Sequence, residues 1–298
     1  MNTYLAFDIG GTQIKYGIVD EKGVIVSQYW ESTPKTLDEL LSFIEQKTQE
    51  YDGLEGVAVS SPGSVGGDGI IYGSSALPYL HGPNIKQLIT KRVKPLSMYI
   101  ENDANCAAYA ELWQGAAKRK KNVLVMVIGT GIGGAIIQNG ALHKGANLHG
   151  GDFGYMLLTT DVKSSDDVWS RIASTAALVK KVAMAKGVSP ESLTGEEIFK
   201  QSEKGDLICE KAVDDWYHLL AIGIYNMQYI YDPEVILVGG GISARPELID
   251  RINQKLDALL AKIDLAKVKP VVTACHFRQN ANLLGAVFGL RKQEGGVK

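Results

Sequence analysis

Two glycine-rich loops of similar sequence combine backbone N–H groups with a threonine hydroxyl. The first is Gly10-Gly11-Thr12, and the second is Gly129-Thr130-Gly131-Ile132-Gly133-Gly134. Because glycine has no Cβ to block an approaching ligand, the N–H groups and the hydroxyl could together hold phosphate oxygens. Either loop alone could equally be a tight hairpin turn that needs glycine for its backbone angles. The presence of two equivalent loops favours phosphate binding.

Neither loop matches the common nucleotide-binding patterns. No Gly-Lys-Ser/Thr follows at P-loop spacing, and neither loop is the Gly-x-Gly-x-x-Gly turn from a strand into a helix. Each loop instead returns into a second strand. Asp8 precedes the first loop, where its carboxylate could hold Mg²⁺ through water or form an Asx-type turn. Lys15 follows that loop and is expected either to approach the phosphates or to face solvent.

An acidic segment, Glu101-Asn102-Asp103-Ala104-Asn105, lies where a predicted strand leads into a predicted helix. Side chains at such a junction project into the crevice beyond the strand ends. Phosphoryl transfer depends mainly on positioning and charge neutralisation, so a carboxylate can accept a hydroxyl proton as the transition state develops. Asp103 is therefore the candidate general base. The competing interpretation is that Asn102 or Asp103 only caps the helix.

Short β-type runs and helical patterns are predicted to position these residues. A helix capped by Thr36 is predicted after a three-stranded meander. The predicted strands are residues 4–9, 13–19, 24–30, 56–60, 98–101 and 235–238, and the further predicted helices are residues 103–114, about 207–231 and 282–291.

The second half of the chain begins with the pattern that begins the first. Phe7-Asp8-Ile9 leads into one glycine loop and Val127-Ile128 into the other, and each loop is followed by an apolar strand and a polar turn. This self-similarity predicts an internal duplication. The basic run 118–121 is interpreted as a solvated boundary between the halves.

Composition narrows the class of ligand. The 298 residues are 45% hydrophobic, enough for two domains, and 31 basic residues nearly balance 33 acidic ones. A small molecule is therefore expected as ligand, rather than nucleic acid or a membrane. Cys106, Cys209 and Cys275 are too far apart in sequence for a disulfide framework or a Cys-x-x-Cys metal site. A strand pattern begins by Tyr4 without a leader, and the longest apolar stretch is interrupted by glycines, so a cytoplasmic protein is expected.

Taken in order, these segments resemble the ROK family of sugar kinases. The resemblance implies an α/β, two-lobed ribonuclease-H-like fold of the actin/hexokinase superfamily, with an interlobe cleft. It also implies ATP and Mg²⁺ as cofactors, with Asp103 as the catalytic base that activates a sugar hydroxyl. The predicted domains are residues 1–118 with 282–298, carrying the sugar-side loops, and residues 119–281, carrying the second phosphate motif and the adenosine motif. Homodimers are common in the family.

The resemblance assigns residues to each part of the site. The adenosine-binding set is Gly239, Gly240, Gly241 and Ser243. The sugar-binding set is Gly63, Asn102, Asp103, Asp152 and Tyr155. The phosphate-binding set is Asp8, Gly10, Gly11, Thr12, Lys15, Gly129, Thr130, Gly131 and Gly133, and the second phosphate motif continues through Gly145.

The sugar side departs from the family pattern. Relatives that phosphorylate free glucose or N-acetylmannosamine usually carry Gly-Glu-x-Gly-His, where this chain has Gly151-Asp152-Phe153-Gly154-Tyr155. In those relatives the histidine also ligates a structural zinc together with a cysteine cluster, and residues 156–171 contain neither cysteine nor histidine. No zinc site is therefore expected. A second sugar-binding glutamate of the relatives is replaced near Trp169, and an asparagine is replaced by Ala76.

These departures lead to a substrate hypothesis. Fewer polar partners around the sugar's O1 and O2 lower the penalty for a substituent at the anomeric carbon. The expected reaction is phosphorylation of the 6-hydroxyl of a glucose unit in a β-glucoside, such as cellobiose or an aryl β-glucoside. Tyr79, Tyr155 and Trp169 could stack on the second ring or could be ordinary core aromatics.

Three other functions stay open. A glucokinase or N-acetylmannosamine kinase of the same family would use the same chemistry with a tighter pocket. A ROK transcriptional repressor would carry a helix-turn-helix ahead of the sugar-binding region, and only seven residues precede Asp8. A non-catalytic sugar sensor is disfavoured by the retention of Asp103 and both glycine loops.

Overall fold

A computed structural model describes residues 2–277 and 280–296 of the chain, and these residues form two compact units. The first unit comprises the described residues of Met1–Arg119, Lys144–Gly150 and Gln279–Lys298. The second unit comprises those of Lys120–His143 and Gly151–Arg278. Residues 144–150 thus belong to the first unit, although the range predicted for the second domain includes them. Positions 1, 278–279 and 297–298 of the predicted domains lie outside the described residues.

The described chain contains both strands and helices. The strands are β1 (Thr3–Ile9), β2 (Gln13–Asp20), β3 (Ile25–Ser32), β4 (Leu54–Ser61), β5 (Ser64–Val65), β6 (Ile71–Tyr72), β7 (Ser97–Asn102), β8 (Val123–Ile128), β9 (Ile132–Gln138), β10 (Ala141–Leu142), β11 (Val235–Gly239) and β12 (Val272–Ala274). The α-helices are α1 (Leu37–Gln49), α2 (Ile85–Val93), α3 (Asp103–Gln114), α4 (Trp169–Ala173), α5 (Thr175–Lys186), α6 (Gly195–Glu203), α7 (Leu207–Tyr231), α8 (Leu248–Leu260) and α9 (Ala281–Gln293). All the elements predicted from sequence are present, and α3 and α7 have the predicted bounds.

The first unit is built on a five-stranded sheet in the order β3-β2-β1-β4-β7. Strands β1, β2 and β3 are antiparallel, whereas β4 and β7 run parallel to β1. The carboxyl ends of β1, β4 and β7 therefore lie at one edge of the sheet, where parallel α/β folds usually bind ligands. The first glycine loop follows β1 and the acidic segment spans the end of β7, so both predicted ligand segments lie at this edge.

Helix α1 begins where the sequence predicts it. The Thr36 hydroxyl accepts from the Glu39 N–H at 3.3 Å, and the Glu39 carboxylate accepts from the Thr36 N–H at 3.2 Å. This capping box satisfies two backbone donors that would otherwise be unpaired at the helix start. Leu40 and Ile44 then bury the inner face of the helix against the sheet core.

Helix α9 closes the other face of this sheet. It packs against α3 and against β1 and β4. The approach is close because Gly285 faces the backbone of Cys106, where a Cβ would collide with the carbonyl oxygen. A side chain at position 285 would therefore push α9 away from the helix that begins with Asp103.

The second unit repeats the topology of the first. Its sheet has the order β10-β9-β8-β11-β12, again an antiparallel meander followed by strands parallel to the first. The internal duplication predicted from the two glycine loops is confirmed at the level of strand order and direction. Each loop joins the first two strands of its sheet.

The second unit has its own hydrophobic core beneath the 25-residue helix α7. Trp169, Trp216 and Tyr217 are its largest fully buried side chains. Among the residues that the structure describes, none of the helices has the combination of length and apolar character that crossing a membrane requires.

Candidate active site

Four polar side chains form a row across the sheet of the first unit. Lys15 on β2 is the register partner of Asp8 on β1, Asp8 of Ser60 on β4, and Ser60 of Glu101 on β7. Because register partners on adjacent strands point to the same face, the row is a continuous polar strip near the carboxyl ends of the strands. Two carboxylates and one ammonium group are thereby gathered beside the first glycine loop and Asp103.

Asp8 is held on both sides. Its Oδ1 accepts from Asn282 Nδ2 of α9 at 2.9 Å, and its Oδ2 lies 3.8 Å from Lys15 Nζ. The side chains of Asp8 and Lys15 are only 19% and 14% exposed. Of the two alternatives for Lys15, the structure therefore favours an ammonium group directed along the strip rather than into solvent.

The surroundings of Asp8 fit a magnesium ion bound through water. Mg²⁺ keeps several waters and binds through one or two carboxylates plus substrate phosphates, so the single carboxylate of Asp8 would suffice if phosphates bind at the adjacent glycine loop. The 3.8 Å distance between Asp8 Oδ2 and Lys15 Nζ is that of an ion pair rather than of a hydrogen bond. In the described part of the chain, no three histidine, cysteine, aspartate or glutamate side chains are grouped as an all-protein metal site would need.

Asp103 is the first residue of α3, and its carboxylate is oriented by two donors. Its Oδ1 accepts from the Ala104 N–H at 2.8 Å and from Asn102 Nδ2 at 2.9 Å. The helix cap is Asn102, whose Oδ1 accepts from the N–H groups of Ala104 and Asn105. Asn102 is therefore the residue that caps α3, and the Asp103 side chain remains in contact with solvent.

The electrostatic surroundings of Asp103 favour its protonated form. Desolvation by surrounding protein atoms raises the pKa of the Asp103 carboxyl group above its usual value, and the negative charge of Asp8 acts in the same direction. The hydrogen bonds from Ala104 and Asn102 lower it in part. The net direction of the pKa shift is upward, towards the range that suits a general base.

The loop after β4 is tied to the same helix start. Asn102 Nδ2 donates to the carbonyl oxygen of Gly63 at 3.0 Å. Gly63 has φ +93°, and a Cβ there would lie 2.7 Å from Ile71 Cγ2, so only glycine fits without strain. Two residues of the predicted sugar-binding set, Gly63 and Asn102, are therefore in direct contact.

The first glycine loop is a tight hairpin with an exposed tip. The Gly10 N–H donates to Gln13 O at 3.0 Å, and Thr33 Oγ1 donates to Gly10 O at 2.7 Å. Gly11 and Thr12 at the tip are exposed. The loop is therefore both a hairpin turn and a surface open to a ligand, so the two interpretations of its sequence are compatible.

The second glycine loop borders a cavity of about 970 Å³ in the second unit. The loop is closed by a hydrogen bond from the Gly129 N–H to Gly131 O, and Thr175 at the start of α5 donates its N–H to Gly129 O. Gly129 and Thr130 line the cavity, as does Gly241 of the predicted adenosine segment. A cavity of this size can hold a drug-sized ligand. It is lined by members of two predicted nucleotide-binding segments.

The other predicted adenosine residues support the turn behind this cavity. Gly240 has φ +89°, and a Cβ there would lie 2.1 Å from Ile128 O. Ser243 is buried, and its hydroxyl donates to Gly240 O at 2.8 Å. Gly239 ends β11. These residues hold Gly241 in place rather than lining the cavity themselves.

One wall of the cavity is an arginine on a phenyl ring. The Arg245 guanidinium carbon lies 4.1 Å from the ring centroid of Phe199. Arg245 Nε donates to Glu247 Oε1 at 2.6 Å, and another guanidinium nitrogen pairs with Glu203 at 2.5 Å. Two carboxylates thus hold the planar guanidinium group over the ring at the cavity wall.

The second unit places the remaining sugar-set residues in a short 3₁₀ turn. Asp152 precedes this turn, Phe153–Tyr155, and the Tyr155 side chain is 72% exposed. Of the three aromatic residues that could stack on a second ring, Trp169 is fully buried in the core, so its stacking interpretation is wrong. Tyr79 packs against the core of the first unit and donates its hydroxyl to Pro34 O at 2.7 Å. Tyr155 is the candidate with an exposed ring.

Three residues near the candidate site were not found from sequence. Asn282 reaches Asp8 from the far end of the chain, Arg245 forms the cavity wall, and Lys144 contacts Glu101. Only their positions in the sequence could have indicated a role in the site. Asn282 lies in the first turn of a predicted helix, Arg245 follows the adenosine motif, and Lys144 precedes the last glycine of the second phosphate motif.

Comparison with known proteins gives a consistent result. The sequence profile described as ROK family matches residues 4–293. The β-glucoside kinase of Listeria monocytogenes is 34% identical over 293 residues, which cover 97% of this chain and 97% of that protein.

Two solved structures add to this result. A ROK family protein from Streptococcus pneumoniae in complex with sucrose is 36% identical, with a TM-score of 0.93, and the match covers 99% of this chain and 100% of that one. A ROK family glucokinase from Streptomyces griseus in complex with glucose and AMPPNP is 26% identical, with a TM-score of 0.76, and the match covers 96% and 98% of the two chains.

Proposed function

The chain belongs to the ROK family, and from this premise we propose that it transfers the γ-phosphoryl group of ATP to the 6-hydroxyl of a glucose unit in a β-glucoside. It is an ATP-dependent sugar kinase, and β-glucoside kinase is the activity of a relative that matches 97% of its length. Its fold is the mixed α/β, ribonuclease-H-like fold of the actin/hexokinase superfamily, as the resemblance implied.

Asp103 acts as the general base in this proposal. Its carboxylate accepts the proton of the sugar 6-hydroxyl while that oxygen bonds to the γ-phosphorus, and the bond from the γ-phosphorus to the oxygen of the β-phosphate breaks to release ADP. The hydrogen bonds from Ala104 and Asn102 to Oδ1 support this role because they fix the direction of the carboxylate. Asn102 and Gly63 are proposed to contact the sugar beside it.

Residues of the first glycine loop are proposed to hold the phosphates. The exposed tip at Gly11 and Thr12 offers N–H and hydroxyl donors, and Lys15 offers positive charge along the strip. Asp8 is proposed to hold Mg²⁺ through water. When bound, this ion neutralises charge on the transferred phosphoryl group.

The cavity of the second unit is proposed to take the adenosine and the adjoining phosphates of ATP. Its lining by Gly129, Thr130 and Gly241 supports this assignment, and the flat Arg245 surface suits a planar base. We propose that the second unit is the nucleotide domain, and that the first unit is the domain that supplies the base and the sugar-side loop.

The observation that carries the choice of substrate is the exposed phenol ring of Tyr155. By the family resemblance, Tyr155 stands at the position where relatives that use free sugars carry histidine, and it is 72% exposed. An imidazole held for a sugar hydroxyl would reject a substituent there, whereas an exposed aromatic face can pack on a second ring.

A substrate panel tests the proposal. We expect kcat/KM for cellobiose or an aryl β-glucoside to exceed that for free glucose and N-acetylmannosamine by about tenfold or more, since pocket contacts of this kind discriminate on that scale. The measurement is a coupled ADP-release assay at equal substrate concentrations, with the product examined for a phosphate on the 6-oxygen. A preference for free glucose would identify a glucokinase instead.

The variant Tyr155→Ala tests the role of the ring. We expect a loss of about two- to tenfold in kcat/KM for the β-glucoside, the size of one aromatic contact, and a smaller loss for glucose. Tyr229→Ala is the matched control, because Tyr229 lies 49% exposed on α7, outside the cavity lining. Equal losses of kcat/KM for the β-glucoside and for glucose would contradict a contact between Tyr155 and the second ring.

The pH dependence of the reaction tests the base. Asp103 must be ionised to accept a proton, and its raised pKa means that protonation on acidification begins at a higher pH than for an ordinary aspartate. We expect kcat/KM to fall as the pH is lowered through this pKa, with one acid limb at a higher pH than an ordinary aspartate would give. An acid limb at or below the ordinary aspartate value would contradict the electrostatic description of Asp103.

A further inference from the structure

A buried carboxylate lies beneath Asp103. The Glu101 side chain is 3% exposed and accepts hydrogen bonds on both oxygens. Its Oε1 accepts from the Asn102 N–H at 2.9 Å and from Asn105 Nδ2 at 3.1 Å. Glu101 therefore binds the residues that precede and follow Asp103 and Ala104. Its Oε2 accepts from the Tyr99 hydroxyl at 3.3 Å.

The positive partner of Glu101 is Lys144. Lys144 Nζ lies 2.6 Å from Glu101 Oε2 and donates to the carbonyl oxygen of Val65 at 2.8 Å. The Lys144 side chain is 27% exposed, so the pair is largely removed from water. One ammonium group therefore joins the end of β7, where Asp103 begins α3, to β5 of the hairpin that follows Gly63.

The segment that carries Lys144 is unusual in the chain. Residues 144–150 belong to the first unit, whereas the chain before and after them belongs to the second. The segment is closed on itself by the Gly150 N–H, which donates to Lys144 O at 2.8 Å, and Gly145 has φ +72°. Its seven residues are thus a compact loop, and the Lys144–Glu101 ion pair connects this loop to the sheet of the first unit.

We propose that Lys144 is a positioning residue for phosphoryl transfer: by neutralising Glu101 and holding Val65, it fixes the Asn102–Asp103 turn and the loop at Gly63 in their working arrangement. This inference rests on the proposed sugar kinase function. Lys144 touches neither reacting atom in this scheme, and it acts through Glu101.

The physical reason is the cost of an unpaired buried charge. A buried carboxylate that loses its cation is strongly destabilised and draws in water or moves toward solvent. Movement of Glu101 would release the Asn102 N–H and Asn105 Nδ2, which are part of the turn that aims Asp103. A small misplacement of a catalytic group costs orders of magnitude in rate.

The charged groups around the turn give the proposal a second readout. The Glu101 side chain contacts Lys144 and the Tyr99 hydroxyl, and the Cys106 thiol donates to Glu101 O. The charge that acts on Asp103 is that of Asp8, which pairs with Lys15. Removing the Lys144 cation leaves a net negative charge next to the turn. This charge disfavours ionisation of Asp103, so the acid limb of the kcat/KM profile should move to higher pH.

The experiment compares Lys144→Met with wild type in the full-length protein. We expect kcat with the wild-type enzyme's preferred sugar to fall about 10- to 100-fold, with KM for ATP changed less than about threefold, because the nucleotide cavity is untouched. The acid limb should shift upward, and Lys144→Arg should restore most of the rate. The matched control is Lys186→Met, which removes an ion pair of equal length, 2.6 Å, to Asp206 in the second unit and should leave kcat within about twofold.

The double variant Glu101→Gln with Lys144→Met keeps the test decisive if Lys144→Met does not fold. An uncharged amide at position 101 needs no cation, so the double variant should fold and should recover the wild-type acid limb. Its kcat should stay at least about fivefold below wild type, because the hydrogen bond from Lys144 to Val65 O is still missing. Wild-type kcat in either variant would overturn the positioning role. A wild-type protein that phosphorylates no sugar would instead overturn the proposed function and this inference with it.

Discussion

Replacing Asp103 with alanine is expected to lower kcat for sugar phosphorylation by roughly 10³- to 10⁴-fold, because the reaction loses its proton acceptor. The loss should appear in kcat rather than in nucleotide affinity, since the cavity that borders Gly129 and Gly241 lies in the other unit. Steady-state kinetics and calorimetric titration with ATP give the two quantities. Asp103→Asn should be equally inactive, because an amide keeps the shape but accepts no proton.

The matched control for this substitution is Asp38→Ala. Asp38 also lies in the first turn of a helix of the first unit, and it pairs with Arg92 at 3.1 Å on the surface. It should keep wild-type kcat. An Asp103→Ala variant that retains more than about a tenth of the wild-type rate would exclude Asp103 as the base.

Replacing Asp8 with asparagine is expected to lower kcat by about 10²- to 10³-fold and to raise the Mg²⁺ concentration needed for half-maximal rate. Asparagine keeps an oxygen that can accept from Asn282 Nδ2, so the fold of the strip should persist while its negative charge is lost. Rates measured across a range of Mg²⁺ concentrations, with thermal unfolding as a control for folding, separate these effects.

The control for Asp8 is its neighbour Asn282. Asn282→Ala removes the hydrogen bond to Asp8 Oδ1 but keeps the carboxylate, so its effect on kcat should be about tenfold or less. If Asp8→Asn lowers the rate without changing the Mg²⁺ dependence, the carboxylate acts through Lys15 rather than through the ion.

Local signals in the sequence predicted most of the fold. The starts of α3 at Asp103 and of α1 at its Thr36 cap depend on residues three or four positions apart, so both starts could be predicted directly from the sequence. The two glycine loops predicted the duplicated topology, because each lies between an apolar strand and its returning partner. Such features need no knowledge of distant contacts.

The contacts that sequence could not provide are those between distant segments. Asn282 and Asp8 are 274 positions apart, and Lys144, the partner of Glu101, belongs to the first unit although the stretches before and after its segment in the sequence belong to the second. Trp169 is open to two interpretations because an aromatic residue beside a binding motif can stack on a sugar or fill a core, and the two uses have the same local sequence. Its complete burial under α7 becomes evident only when the helices are packed.

The packing of α9 has a consequence for how the protein is made. Asp8 and Asp103 are translated well before the helix that contacts Asp8 through Asn282 and packs on α3 at Gly285, since Asn282 follows Asp8 by 274 positions. The face of the sheet that α9 covers therefore stays open until α9 has been made, whereas the residues of the second unit precede α9 and can complete their core before that point. A nascent chain should thus expose the apolar face behind β1 and β4 to chaperones until α9 docks, and the two aspartates should reach their final surroundings only then.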